Sequence, residues 1–211
     1  MLTLSLQTSD ASTWTVIEPS LSNIKTQRIE TVWGRSYALA PCPIEQVLQQ
    51  AIDWVQCYPL NIMIDAPPVL ESEQSNYPAL AIAEQALTTT IANSLGLVIT
   101  HHVFWQLPHA GQYPLRLIAQ LTVPPPLERI SLFEVFNTEP PEHQAKKQET
   151  KTQFEQALFL YFLGFYAEAE CLFDECLTLN PMDMVASHYV QNCRNALATA
   201  SDLSSPTQQN S

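Results

Sequence analysis

The sequence predicts an α+β fold, with one layer of helices on one sheet, followed by a small segment built only of helices. Three patterns predict it. Apolar residues recur at helical spacing over 44–55, apolar and polar residues alternate over 115–123 as in a half-buried strand, and residues 153–198 show only helical spacing. The 211 residues, 46% of them hydrophobic, can bury the core of a medium domain and a small appendage.

Prolines and glycines mark the ends of the elements predicted in residues 1–137. Pro43 precedes the first helix, Pro59 closes it, and Gly96 is placed to cap the second helix. Three prolines after residue 123 turn the chain between two hairpin strands. In chain order we predict a helix over 44–55, a buried strand over 61–65, a helix over 82–95, a strand over 97–100, a short helix after it, and hairpin strands over 115–123 and 129–136.

The remaining residues divide into three parts by composition. Residues 138–152 hold two prolines and no aliphatic residue larger than Ala, which is typical of a linker. Residues 153–198 are predicted to be helical. The polar tail, residues 199–211, is predicted to be disordered.

Two apolar stripes within residues 153–198 predict a helical hairpin with its turn at Gly164. Small residues at Ala157, Ala169 and Cys176 permit close helix approach, and aromatic side chains fill the gaps between them. This spacing, through to Pro181, resembles a tetratricopeptide repeat. One and a half repeats do not bury a core by themselves, so this segment is expected to pack on the first domain or on a partner.

Aromatic residues around that turn are denser than repeat packing needs. We interpret most of them as core. The remainder are candidates for an exposed interaction surface: Phe159, Phe162 and Phe165.

The charge pattern excludes several classes of partner. Nine Lys and Arg against 21 Asp and Glu give a net charge of −12, which argues against nucleic acid and anionic lipid. Residues 36–115 contain no Lys or Arg, so a phosphate site there would lack its counter-charge. No run is long enough for membrane insertion and no basic leader precedes the first strand, so we expect a cytoplasmic protein with its five cysteines reduced.

The order of elements resembles a class III adenylate/guanylate cyclase domain followed by the repeat-like tail found in some bacterial cyclases. The resemblance is carried by NSLGLVITHHVFWQL, YPLRLIAQLTV and ISLFEVFNTEPPE, and by the tail from Phe154 to Cys193. WGRSYALAPCPIEQVLQQAIDW resembles the Gly-Asp turn of that family with its following helix, and LTLSLQTSDASTW then supplies the opening strand. The resemblance implies a ferredoxin-like, cyclase-like sheet with helices on one face, over residues 1–137.

Departures from that family imply loss of catalysis. Its two metal-binding aspartates correspond here to Gln7 or Thr8, with Asp10 nearby, and to Arg35 after Gly34. Metal-dependent phosphate chemistry needs such carboxylates. The positions of its ribose-binding Asn and transition-state Arg, and of its glycines after the fourth strand, are occupied by Ala83, Leu87 and Ala66-Pro67-Pro68.

Other polar residues were considered as metal ligands, as a catalytic acid or as part of an ion pair. Adjacent His101 and His102 on a short helix are expected to point apart, and with His109 they make a poor metal site. Asp65 ends a strand, where catalytic acids occur, but it has no partner nearby in sequence and is expected to be a solvated turn carboxylate. Arg35 is a candidate to pair with a carboxylate of a partner subunit.

These features predict a non-catalytic signalling or scaffolding protein in which a pseudo-cyclase domain serves dimerisation or protein–protein interaction. The partners considered are a second copy of the chain and a live cyclase. The alternative is a tetratricopeptide-type adaptor or assembly factor that binds a client protein. A residual nucleotide sensor is a lesser alternative. We expect no catalytic residues, no metal and no cofactor. The candidate interaction residues are Arg35, Phe159, Phe162 and Phe165.

Overall fold

The computed structural model describes residues 2–8, 10–22, 25–30, 35–66, 96–123 and 128–204. Within them the chain forms a mixed α+β structure that divides into two compact units, Met1–Gln144 and Ala145–Ser211. The strands are β1 (Leu2–Gln7), β2 (Lys25–Glu30), β3 (Arg35–Leu39), β4 (Asn61–Asp65), β5 (Leu97–Thr100), β6 (Leu115–Val123) and β7 (Glu128–Val135). The α-helices are α1 (Ala11–Leu21), α2 (Ile44–Cys57), α3 (His101–Gln106), α4 (Pro141–Phe162), α5 (Tyr166–Leu179) and α6 (Met184–Ser204).

One seven-stranded sheet organises the first unit, in the order β2-β3-β1-β4-β5-β7-β6. Strands β4 and β5 are parallel, and the other neighbouring pairs are antiparallel. The predicted strands over 61–65, 97–100 and 115–123 are confirmed, as are the hairpin of β6 with β7 and the short helix after β5. The helix predicted over 82–95 lies outside the described residues.

The core of the first unit lies on one face of the sheet. Alternate strand residues such as Leu4, Ile62 and Ile99 form a buried cluster with residues of α1, α2 and α3. The helical spacing that predicted α2 is explained by this packing, because Leu48 and Ala51 lie one turn apart and are both fully buried.

The opposite face of the sheet is also buried, which the prediction of a single helical layer does not explain. It carries polar side chains beside apolar ones. The hydroxyls of Ser5 and Ser36 bond to each other at 2.9 Å, and Arg116 pairs with Glu134 directly across β6 and β7. These four polar side chains on the opposite face, which we call the polar face of the sheet, therefore obtain partners from neighbouring strands.

The predicted linker, residues 138–152, is helical from Pro141 onward, where α4 begins. Proline is favoured in the first turn of a helix, since its missing N–H has no acceptor there, and the charged residues that follow are good helix formers. The tail expectation also needs correction, because α6 continues to Ser204 rather than ending near residue 198. Residues 205–211 lie outside the described residues.

The second unit is a three-helix arrangement around aromatic side chains. Phe173 stacks on Tyr189 with ring centroids 5.1 Å apart, and Phe154 meets the edge of Phe173 at 5.3 Å. The small residues Ala157 and Cys176 are fully buried, as predicted for positions of close helix approach.

The turn between α4 and α5 explains the position of Gly164. Its φ of 84° is left-handed, which glycine adopts without steric penalty. The N–H of Phe165 donates to the carbonyl of Leu160, and the N–H of Gly164 donates to that of Tyr161. These two bonds form a Schellman motif that ends α4 and starts α5 within a few residues.

Candidate functional site

Arg35 lies at the start of β3, beside the end of β1. The register pairs it with Leu6, which directly precedes Gln7, the last residue of β1. Its guanidinium is held within its own chain: Nη1 lies 3.1 Å from Oε1 of Glu18, and Cζ lies 4.2 Å from the centroid of the Trp14 ring. One carboxylate beside Arg35 therefore comes from α1 of the same chain, and the pairing of Arg35 with a partner subunit stays a prediction.

Residues near the end of β1 have structural partners. The hydroxyl of Thr8 donates to the carbonyl of Pro59, and the amide of Asn61 donates to Oε1 of Gln7. Asp10 is the N-cap of α1. Hydrogen bonds from the Ser12 side chain and backbone N–H hold the pKa of its carboxyl below the ordinary value, so it is used to begin a helix.

Several positions that the cyclase resemblance involves lie outside the described residues: Gly34, Pro67, Pro68, Ala83 and Leu87. Ala66 is described, and it is buried directly after β4.

Asp65 is the centre of a buried polar cluster at the carboxyl ends of the parallel strands β4 and β5. The residue is only 1% exposed, so the expectation of a solvated turn carboxylate was wrong. Its Oδ1 accepts the Thr100 hydroxyl at 2.6 Å and the Ala66 N–H at 2.9 Å, and it lies 3.0 Å from Nδ1 of His102. Oδ2 is buried and has no hydrogen-bond partner within the described part of the chain.

The two histidines of α3 do not point apart as predicted. Their ring centroids are 4.1 Å apart. Nδ1 of His102 faces Asp65, while Nδ1 of His101 accepts the N–H of Ser131 on β7 at 3.3 Å. Within the described ranges, no three His, Cys, Asp or Glu side chains are arranged to hold a metal ion.

The sequence does not predict this cluster directly, because the partners of Asp65 are far from it in the chain. Thr100 and His102 are 35 and 37 residues away. The signal was available in the pattern of two short apolar strands, 61–65 and 97–100, each ending in a polar residue. Carboxyl ends of parallel strands meet at one sheet edge, which brings such residues together.

A second candidate surface lies in the helical unit, at the carboxyl end of α4. We call it the α4-end surface: Phe159, Phe162, Leu163 and Phe165. All four side chains are exposed, Phe159 by 61% and Phe165 by 52%, and the first three share a helix face through i, i+3, i+4 spacing. The three phenylalanines expected to be exposed are therefore exposed. Tyr161 belongs instead to the aromatic core, 4.9 Å from Tyr189.

The two sets of candidate residues belong to different units. Arg35 is in the first unit and the α4-end surface is in the second. Among the helices that the structure describes, none is both long and apolar enough to cross a membrane.

Comparison of the chain with protein-family models and with curated proteins finds no match.

Proposed function

We propose that this protein is a non-catalytic scaffold or signalling protein, with a cyclase-like first unit that has lost its chemistry and a helical second unit that binds protein. The proposal has two separate supports. One is the structural role of the residues at the former metal positions, and the other is the exposed apolar surface of the helical unit.

The strand order supports the cyclase-like interpretation of the first unit. Elements β1-α1-β2-β3-α2-β4 form a sheet in the order β2-β3-β1-β4. This is the split βαβ arrangement of ferredoxin-like sheets, which the sequence resemblance implies. Strand β5 and the β6/β7 hairpin then extend the sheet on the side of β4.

The observation that carries the loss of catalysis is the setting of Arg35. A cation held by Glu18 and Trp14 stands where a metal-binding carboxylate is needed. A divalent ion beside this guanidinium would be repelled, and no carboxylate on β1 faces it, since the strand reads LTLSLQ.

Protein binding is supported by the α4-end surface. Large contiguous apolar patches are uncommon on the surface of monomeric proteins, and burial of one phenylalanine stabilises a complex by about 1.5–3 kcal/mol. The alternative function, a tetratricopeptide-type adaptor, rests on this same surface and on the small-residue packing of α4 with α5.

The test of lost catalysis is calorimetric titration of the full chain with ATP and with GTP, each with Mg²⁺ or Mn²⁺. We expect no binding. Micromolar binding would contradict the proposal and make the protein a nucleotide sensor, for which Arg35→Ala is the first variant to measure.

The test of protein binding is the mass of the full chain in solution as a function of concentration. We expect a dimer that dissociates in Phe159→Ser/Phe165→Ser and persists in Met182→Ser. Met182 is a matched control because it is exposed and lies beyond the other end of α5, whose 14 residues span about 21 Å. A dimer in all variants would assign pairing to the cyclase-like unit, and a monomer throughout would favour the adaptor.

A further inference from the structure

Among the residues that the structure describes, two buried polar atoms on the polar face of the sheet lack a hydrogen-bond partner, and they belong to residues that face each other. They are Oγ1 of Thr3 and Oδ2 of Asp65. The register pairs Thr3 of β1 directly with Asp65 of β4. Side chains at directly opposed positions of antiparallel strands lie on the same face and within contact of each other.

This pair is unusual because nearly all buried polar groups in proteins are hydrogen-bonded. Thr3 is 4% exposed and Asp65 is 1% exposed, so bulk water does not solvate them. The three donors around Asp65 all converge on Oδ1 and leave Oδ2 unsatisfied. One group that donates to both orphaned oxygens would satisfy both residues.

The position and charge of the pair indicate what that group is. It lies at the carboxyl end of β4, beside the parallel strand β5, where open sheets containing parallel strands bind ligands. Residues 36–115 supply no Lys or Arg, so the site favours a cation over an anion. Arg116, on this face of the sheet, pairs with Glu134.

We propose that Asp65 and Thr3 bind the ammonium group of a small amine. One N–H donates to Oδ2 of Asp65 and a second donates to Oγ1 of Thr3. The near-complete burial of both residues restricts the bound group to a primary ammonium of small size. This proposal stands apart from the scaffold function and does not depend on it.

The experiment is a titration of the full chain with methylammonium chloride, followed by amide ¹H–¹⁵N chemical shifts at constant ionic strength. A ligand with two non-hydrogen atoms binds with a millimolar Kd at best, so the titration extends to roughly 100 mM. Tetramethylammonium is the matched control probe, because it carries the same charge and has no N–H to donate. We expect saturable shifts at Thr3, Asp65 and their strand neighbours with methylammonium alone.

Two variants assign the effect to the named atoms. Asp65→Asn retains the Oδ1 acceptor but removes the charge and Oδ2, and Thr3→Val removes the hydroxyl at equal volume. A hydrogen bond to a charged group is strong enough that either change should weaken binding roughly tenfold to a hundredfold. Asp53→Asn, at an exposed carboxylate of α2, should leave the affinity unchanged.

Three results would overturn the proposal. The first is the absence of saturable shifts in the wild type, which would mean that the two oxygens are satisfied by water alone. The second is an equal response to tetramethylammonium. The third is full retention of binding in Thr3→Val, which tests the site even if Asp65→Asn fails to fold.

Discussion

Arg116 and Glu134 form a buried ion pair whose disruption should destabilise the first unit strongly. Arg116 is 0% exposed and Glu134 is 2% exposed. Nη2 and Nε of the arginine lie 2.7 and 3.2 Å from Oε2 of the glutamate. Removing one partner of a buried ion pair costs about 3–5 kcal/mol, because the remaining charge loses that counter-charge in a site shielded from water. Arg116→Met, which keeps an unbranched apolar stem and removes the guanidinium, should therefore lose about that much stability.

Urea unfolding followed by tryptophan fluorescence measures this loss in the first unit alone. All four tryptophans, at positions 14, 33, 54 and 105, precede residue 145. With an m-value of about 2 kcal/mol/M, the midpoint should fall by about 1.5–2.5 M. The double variant Arg116→Met/Glu134→Leu should recover most of the loss, because two apolar groups replace two charges.

The control is Arg129→Met, at an exposed arginine on β7, which should move the midpoint little. A shift in Arg116→Met as small as that of the control would refute the reasoning. So would additive losses in the double variant, since a coupled pair predicts strong non-additivity.

Three further predictions concern the helical unit. Gly164→Ala should destabilise the helical unit by about 1 kcal/mol in denaturant unfolding. The cost comes from the positive φ of 84°, which alanine adopts unfavourably, and not from a clash, because an added Cβ meets no atom within 4 Å. An unchanged midpoint would show that the turn relaxes. Burial lowers the pKa of His188 below its ordinary value, so the unfolded chain takes up a proton at a higher pH than the folded unit does. The stability of the helical unit should therefore fall as the pH drops below 6.5. Circular dichroism melts should show a weaker pH dependence in His188→Gln. Burial, together with two acidic side chains of α5, raises the pKa of the Cys193 thiol to about 11. A thiol reagent at about pH 8 should therefore label the exposed Cys171 quickly and Cys193 only after unfolding.

Elements with a strong apolar pattern could be predicted from the sequence. The β6/β7 hairpin follows from alternation over residues 115–123, and its register places Leu115 opposite Val135 in the core. Helix α2 could be predicted because its apolar residues recur at the spacing that places them on one buried face. In these cases the local pattern and the tertiary packing demand the same structure.

Elements without that pattern were missed. Helix α1 begins at the Asp10 cap and buries only Thr13, Ile17 and Leu21, which is too sparse a stripe to recognise. The first half of α4 is almost entirely polar, and helix propensity rather than apolar spacing determines it. Strand β2, KTQRIE, is an edge strand, for which charged residues are favourable.

The candidate sites show the same division. Exposure of Phe159, Phe162 and Phe165 could be predicted because it depends on local aromatic density around one turn. The environments of Arg35 and Asp65 could not, since they depend on residues brought together by the sheet.

The sheet order has a consequence for how the chain folds. Strand β1 is an interior strand of the sheet, and it pairs with β3 and β4 only after the chain has closed loops of about 30 and 60 residues. The β6/β7 hairpin and the α5/α6 pair are held by contacts between adjacent elements, which form faster. The helical unit is translated last, but its native contacts should form quickly. We expect the insertion of β1 between β3 and β4 to be the rate-limiting step in folding of the chain.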